Sequence, residues 1–419
     1  MERFFVFCKS IMKKTLTSPV VIVGLVLYLL SATGSFAAFN ALRGTGEGGT
    51  AQNPADTSLG AGKSKLIVKK KPDLPKTEEC PLSGEMLSAP EREAWEKRRP
   101  LGVMIENSKV ARNQSGLSSA DWVYEAVAEG GITRFLAVYY CQDSDVIGPV
   151  RSARTYYIDW LSEYGNSPLY AHVGGANQPG PADALGQIKK YGWGAYNDMD
   201  QFSVSFPTYW LDTDRLGKDT PTEHSYYTSS TKLWTYAANK RALTNVEADD
   251  VTGKQLAWNA TFVKRKFKDD VALPERPAVS SVEFGLSNTQ SSYMNDYTVR
   301  WQYDPQSNSY LRFNGSVEHR DLNTNQQLTA KNIVIQFMAM TVADDGYDEA
   351  GHGTHTLYGN KGTGTAVFLI DGKVMKGFWK KKDRVSMTIF TDDTGAEVKF
   401  NRGVTWVETL PIGQQLKQS

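Results

Sequence analysis

Two carboxylates and an arginine stand close together in the stretch Trp122 to Tyr140, WVYEAVAEGGITRFLAVYY. Its two apolar runs flank Gly130-Gly131, and a Gly-Gly pair between strand-like runs predicts a β-hairpin. With those glycines as the loop, Glu129 opposes Ile132, Val127 opposes Arg134 and Glu125 opposes Leu136. Alternation then sets Glu125, Glu129 and Arg134 on one face, with Arg134 diagonal to both carboxylates. If the first run were helical, Glu125 and Glu129 would still share a face at i,i+4. Paired carboxylates beside a cation can divide the roles of acid and base, as a hydrolase requires. The same trio also reads as an ion-pair cluster that closes one end of a sheet.

Downstream, Gly148-Pro149 is followed by VRSARTYYIDWLSEYG, where Tyr157, Ile158 and Leu161 recur at helical spacing and Gly165 supplies a stop. The spacing predicts a helix from near Val150, with Arg151 and Arg154 in its first turn. The macrodipole disfavours cations there, so an anion is expected beside them. Glu125 or Glu129 would be that anion in a structural cluster. In a binding site it would be a phosphate or carboxylate held by the free N–H groups and the two guanidiniums. His172 lies on the strand-like LYAHVGG and His224 in PTEHSYYTS, both beside turns, where functional side chains collect. The candidate catalytic groups are therefore Glu125, Glu129 and His172, and the candidate ligand contacts Arg134, Arg151, Arg154 and His224. A lone histidine is more often a hydrogen-bonded structural residue than either.

These residues need elements to hold them, and the pattern supplies an α+β arrangement. Leu101 to Ile105 suits a buried strand, and TKLWTYAANKRAL suits a helix. From Ala278 onward short alternating runs dominate, among them YTVRWQYD, NIVIQFMAM, TAVFLIDG and VTWVET, a β-rich pattern. A mixed α/β domain over 99–277 followed by a β-rich domain over 278–412 and a tail over 413–419 is expected.

Two protease-like fragments carry no weight. Gly351-His352-Gly353-Thr354-His355 resembles the histidine motif of subtilisin-type proteases and Asp393-Thr394-Gly395 a catalytic aspartate turn. Their order is reversed and no nucleophilic serine motif follows. His352 and His355 with Asp348 form too weak a pattern for a metal site, and no metal or cofactor is expected.

The 419 residues carry 47 Lys+Arg against 46 Asp+Glu, so no net field draws nucleic acid, and nucleic acid is not an expected partner. Pro19 to Phe39 is uncharged and spans ~30 Å as a helix, enough for a hydrocarbon core. Arg3, Lys9, Lys13 and Lys14 precede it, which places 1–18 in the cytoplasm, a single transmembrane segment over 19–40 and the rest outside. The alternative is a cleaved signal peptide, since Ser35-Phe36-Ala37 resembles a cleavage site. Residues 41–98, rich in Gly, Thr, Ser, Pro and Lys, are expected to be a flexible spacer. Of the three cysteines, Cys8 would stay inside while Cys80 and Cys141 share the oxidising side, either paired or as free thiols.

Several long stretches together resemble the YerB-like family of bacterial envelope proteins. They are PLGVMIENSKVARNQSGLSSADWVYEAVAEGGITRFLAVYY, IGPVRSARTYYIDW, YAHVGG, LTAKNIVIQF, GTGTAVFLIDGKVMKGFWKK and FNRGVTWVETLP, spread over about 100–411. The resemblance implies a two-part extracytoplasmic protein with no established reaction. Glu125, Glu129, Arg134, Arg151, Arg154 and His172 fall on family-like positions. Two departures stand out: no lipid-attachment cysteine follows the apolar run, and Ser225 replaces the asparagine expected after His224. The function expected is the binding of an anionic envelope polymer or a muropeptide. A cell-wall hydrolase using Glu125 or Glu129 and a non-catalytic scaffold are the alternatives, and no nucleophile or phosphate loop favours catalysis.

Overall fold

The computed structural model describes residues 74–217, 220–249, 252–286, 297–346 and 355–419. The tail over 1–18, the apolar segment over 19–40, most of the spacer, and Asp348 and His352 lie outside them. Among the described residues no helix is long and apolar enough to cross a membrane.

A mixed ten-stranded sheet organises the fold. Its first five strands are β1 (Leu101–Glu106), β2 (Trp122–Glu129), β3 (Ile132–Tyr139), β4 (Leu169–His172) and β5 (Asp198–Asp200). A smaller six-stranded sheet follows, built on β6 (Ser281–Gly285), β7 (Thr298–Asp304) and β8 (Ser309–Asn314). The chain then returns to the large sheet as β9 (Asn332–Met338), β10 (Gly362–Ile370), β11 (Lys373–Lys381), β12 (Ile389–Asp392) and β13 (Thr405–Pro411). The order across the large sheet is β12-β11-β10-β9-β13-β2-β3-β1-β4-β5. β13 runs parallel to both β2 and β9 and joins them. The expected boundary at 277/278 therefore does not separate two sheets; strands from both sides of it share this one.

Five α-helices lie among the described residues: α1 (Ala89–Trp95), α2 (Thr155–Leu161), α3 (Ala184–Lys190), α4 (Gln201–Val204) and α5 (Ser230–Arg241). α2 and α3 pack on one face of the large sheet, where Tyr156, Tyr157, Trp160 and Ile188 meet Met104, Tyr124 and Leu136. The smaller sheet and α5 cover the other, where Trp301, Tyr303 and Leu233 meet Ile105, Phe135 and Trp406. Both faces are apolar because strands buried on both sides need apolar residues at successive positions.

The spacer ends sooner than composition implies. Lys76–Glu79 pairs with Met86–Ser88, α1 follows, and Cys80 is joined to Cys141 by a disulfide. Leu82, Leu87 and Trp95 are buried against the large sheet. These few anchors are diluted in a window average dominated by Lys, Pro and Glu, which is why composition assigned the segment to the spacer.

Candidate functional site

The hairpin forms where the glycines predict it. Gly130 and Gly131 take φ values of 53° and 84°, the left-handed geometry a tight two-residue turn demands. Glu129 opposes Ile132 as expected, but the pairing slips between Val127 and Glu129, so Val127 opposes Thr133 and Glu125 opposes Phe135. The extra residue, Ala128, makes a β-bulge. One inserted residue sends every earlier side chain to the opposite face. The expected trio is thereby split: Glu125 points toward the smaller sheet, while Glu129 and Arg134 stay together on the side of α2.

Glu125 is fully buried. It accepts hydrogen bonds from Thr133 Oγ1 at 2.6 Å and Asn107 Nδ2 at 3.0 Å, and pairs with Arg312 of β8. Glu408 of β13 sits in register with it and accepts from Trp301 Nε1 at 2.9 Å. Burial, and then the charge of Glu125, push Glu408 well above the ordinary carboxylate range, so it is a neutral acid. Solvent does not reach Glu125 or Glu408, and neither meets a substrate in this arrangement.

The helix expected from Val150 begins five residues later, at Thr155, with Arg154 as its extended N-cap. Backbone pairing explains the difference. Arg151 N donates to Met104 O at 2.9 Å, Val173 N to Arg151 O at 3.1 Å and Ala153 N to Gly174 O at 2.9 Å. The segment is spent bridging the ends of β1 and β4, and those bonds replace the helical ones. Arg151 and Arg154 thus lie on an extended segment, not in a helical first turn.

Three guanidiniums nevertheless gather here. Arg154 Nη2 donates to Glu129 Oε2 at 2.6 Å, and Arg134 pairs with the other oxygen of the same carboxylate. Arg151 Nε donates to Glu106 Oε2 at 2.7 Å. Burial pushes Glu129 up, but Arg134 and Arg154 outweigh it and hold the carboxyl at about 2. Burial and the neighbouring Arg134 push Arg154 down. The Nε atoms of Arg134 and Arg154 are buried without a hydrogen-bond partner. The group is open to solvent at two points, through the side chains of Arg151, 24% exposed, and Glu129, 26% exposed.

The two candidate histidines flank this group. His224 Nδ1 stands 3.6 Å from Glu106 Oε2, and burial lowers its affinity for protons, so it is neutral near pH 7. His172 is fully buried at the end of β4, with Nδ1 2.7 Å from Gly174 O and Nε2 2.6 Å from Asp198 Oδ1. Both ring nitrogens face acceptors, which requires the imidazolium. Burial lowers its pKa, but the hydrogen bond and charge of Asp198 more than offset that and raise it. A ring already carrying both protons does not serve as a base.

The structure therefore unites Arg134, Arg151, Arg154, Glu129 and His224, sets His172 next to them through Gly174, and removes Glu125. Sequence patterning missed Glu106, Arg312, Glu408 and Asp198. The available signal was a carboxylate inside an apolar strand: Glu408 in VTWVET and Glu106 at the end of LGVMIE. His355 lies beside Glu129 and pairs with Asp345. Asp393-Thr394-Gly395 forms an exposed turn in which Asp392 accepts from Thr394 N at 3.0 Å. Cys80, Asp121 and Cys141 are the one trio of potential metal ligands close together among the described residues. Sulfurs committed to a disulfide do not act as thiolate ligands.

Comparison with known proteins places the chain. Residues 83–244 match the model described as "Protein of unknown function (DUF3048) N-terminal domain", and residues 289–407 the matching C-terminal domain. YerB of Bacillus subtilis (strain 168), provisionally described as a lipoprotein, is 29% identical over 341 residues, covering 81% of this chain and 88% of that protein. The crystal structure of Bacillus subtilis YerB superposes with a TM-score of 0.62 at 24% identity, covering 82% of this chain and 99% of that one, a likeness of fold.

Proposed function

Because the chain belongs to the YerB-like DUF3048 family and carries both its domains, we propose a membrane-held extracytoplasmic protein that binds an anionic envelope polymer or peptide beside Arg151. The observation that carries this reading is a gathering of guanidiniums with one open member: Arg134 and Arg154 are buried on Glu129, while Arg151, on Glu106, is 24% exposed. Of the three guanidiniums, Arg151 is the one that solvent reaches. A phosphate or carboxylate would complete the group by charge-assisted hydrogen bonds. The description of the relative as a lipoprotein supports a place at the membrane, with the apolar run over 19–40 as the holding segment here. The Cys80–Cys141 disulfide supports the oxidising side.

Two observations weigh against the hydrolase alternative. Glu125 is sealed between the sheets, and His172 carries both protons. The scaffold alternative is supported by the burial of Arg134 and Arg154 around Glu129, which suits a structural lock. Titration of the full chain with poly(glycerol phosphate) at low and high salt separates the readings. The binding reading expects affinity that falls as salt rises; no association at low salt would leave the scaffold.

A further inference from the structure

The segment that follows β5 carries two bare aromatic rings. Phe202 in α4 is 74% exposed and Phe206 just beyond it is 79% exposed. Phenylalanines this open, four residues apart, are unusual on a soluble surface, where large apolar side chains are mostly covered. The inner edge of the Phe202 ring lies over Gly174. The carboxylate of Asp200 is turned inward, accepting from Gly174 N at 2.9 Å, so it does not offset charge outside.

Beside the rings runs α5, STKLWTYAANKR, which holds three basic residues and no acidic one. Its outer side and Pro207 border an open groove of about 300 Å³ lined by Tyr236, Lys232 and Lys240. Lys232 Nζ donates to Pro207 O at 2.9 Å and lies 5.6 Å from the centre of the Trp210 ring. Lys240 has no ion-pair partner among the described residues. Protruding Phe, flanking Trp and Tyr, and lysines without carboxylates match the chemistry of a bilayer surface: apolar tips for the acyl boundary, amphipathic rings and ammonium groups for anionic headgroups.

We propose that the surface formed by Phe202, Phe206 and the outer side of α5 docks onto an anionic lipid bilayer. Charge complementarity favours lipid over a second copy of the chain, because two such surfaces would set Lys232 and Lys240 against their own kind. The surface adjoins the Arg151 group at Gly174 but shares none of its charged residues, so neither proposal depends on the other.

The test is hydrogen exchange on the full chain reconstituted into vesicles of phosphatidylglycerol and phosphatidylcholine, or of phosphatidylcholine alone. Docking slows exchange in 201–211 and 230–241 by about tenfold in the anionic vesicles only. Phe202→Ser with Phe206→Ser, and separately Lys240→Glu, abolish the slowing; Lys240→Glu removes no hydrogen bond and keeps the test valid if the double variant folds poorly. Exchange that ignores lipid charge, or slowing that survives both variants, overturns the proposal. So does slowing that appears without lipid as the protein concentration rises, which assigns the surface to a second copy.

Discussion

Glu125 and Glu408 face each other across two parallel strands, each with 0% of its surface exposed, and among the described residues Arg312 is the one cation paired with either. One guanidinium neutralises one carboxylate, so the second must hold its proton. Glu408→Gln should therefore change stability by about 1 kcal/mol or less, since an amide keeps the bond from Trp301. Glu125→Gln should cost more, on the order of 2 kcal/mol, because Arg312 loses its direct partner and Glu408 must give up its proton to replace it. Urea unfolding of the two variants checks the asymmetry; equal costs would mean that both carboxylates are charged.

Acid should release the Arg134–Glu129–Arg154 lock. The folded carboxyl of Glu129 sits at about 2, below its ordinary value of 4.5. A depressed acid contributes stability that is complete above the ordinary value and is lost as pH falls toward the folded one. The loss between about 4.5 and 2 should be on the order of 3 kcal/mol. Unfolding midpoints measured across that window should slope less in Glu129→Gln than in the native chain, and parallel slopes would contradict the assignment.

Opening the disulfide should weaken the fold. Cys80 and Cys141 are 61 residues apart in sequence, and release of a loop of that size costs about 4 kcal/mol by the chain-entropy model. Cys80→Ser with Cys141→Ser, or reductant on the native chain, should lower the urea midpoint by corresponding amounts. An indifferent midpoint would show that the link adds nothing.

Arg151 and Arg134 should behave differently although both are ion-paired. Arg151→Ala should weaken poly(glycerol phosphate) binding about tenfold and cost about 1 kcal/mol of stability, because the buried Glu106 keeps the N–H donors of Asn107 and Ser108. Arg134→Ala, whose side chain is 2% exposed, should cost roughly 3 kcal/mol of stability. Calorimetric titration and thermal unfolding of both variants decide; an Arg151→Ala variant that melts early and binds normally would assign the whole cluster to structure.

Much of the fold was legible because alternation and helical spacing report burial directly. The hairpin at Gly130-Gly131, α5 and strands such as β7 and β9 stand close to where their patterns put them. The site was less legible for two local reasons. A bulge at Ala128 has no composition of its own, yet it moved Glu125 to the far face. The segment Val150 to Arg154 has a helical pattern continuing into α2, but β1 and β4 claim its backbone first. Both are tertiary effects, in which contacts remote in sequence overrule local preference. Glu106 and Glu408 could have been found by asking why an acid sits in an apolar strand.

The position of β13 sets a timetable. β2 borders β3 on one side from early in synthesis, but its other edge is filled by Thr405–Pro411. Until that segment has been made, β2 presents an open row of N–H and C=O groups, and β9 likewise lacks one neighbour. Neither family domain completes its sheet while the chain is still being made. The last strand to arrive closes both, which makes the interval before its arrival the time when edge-to-edge association is most dangerous.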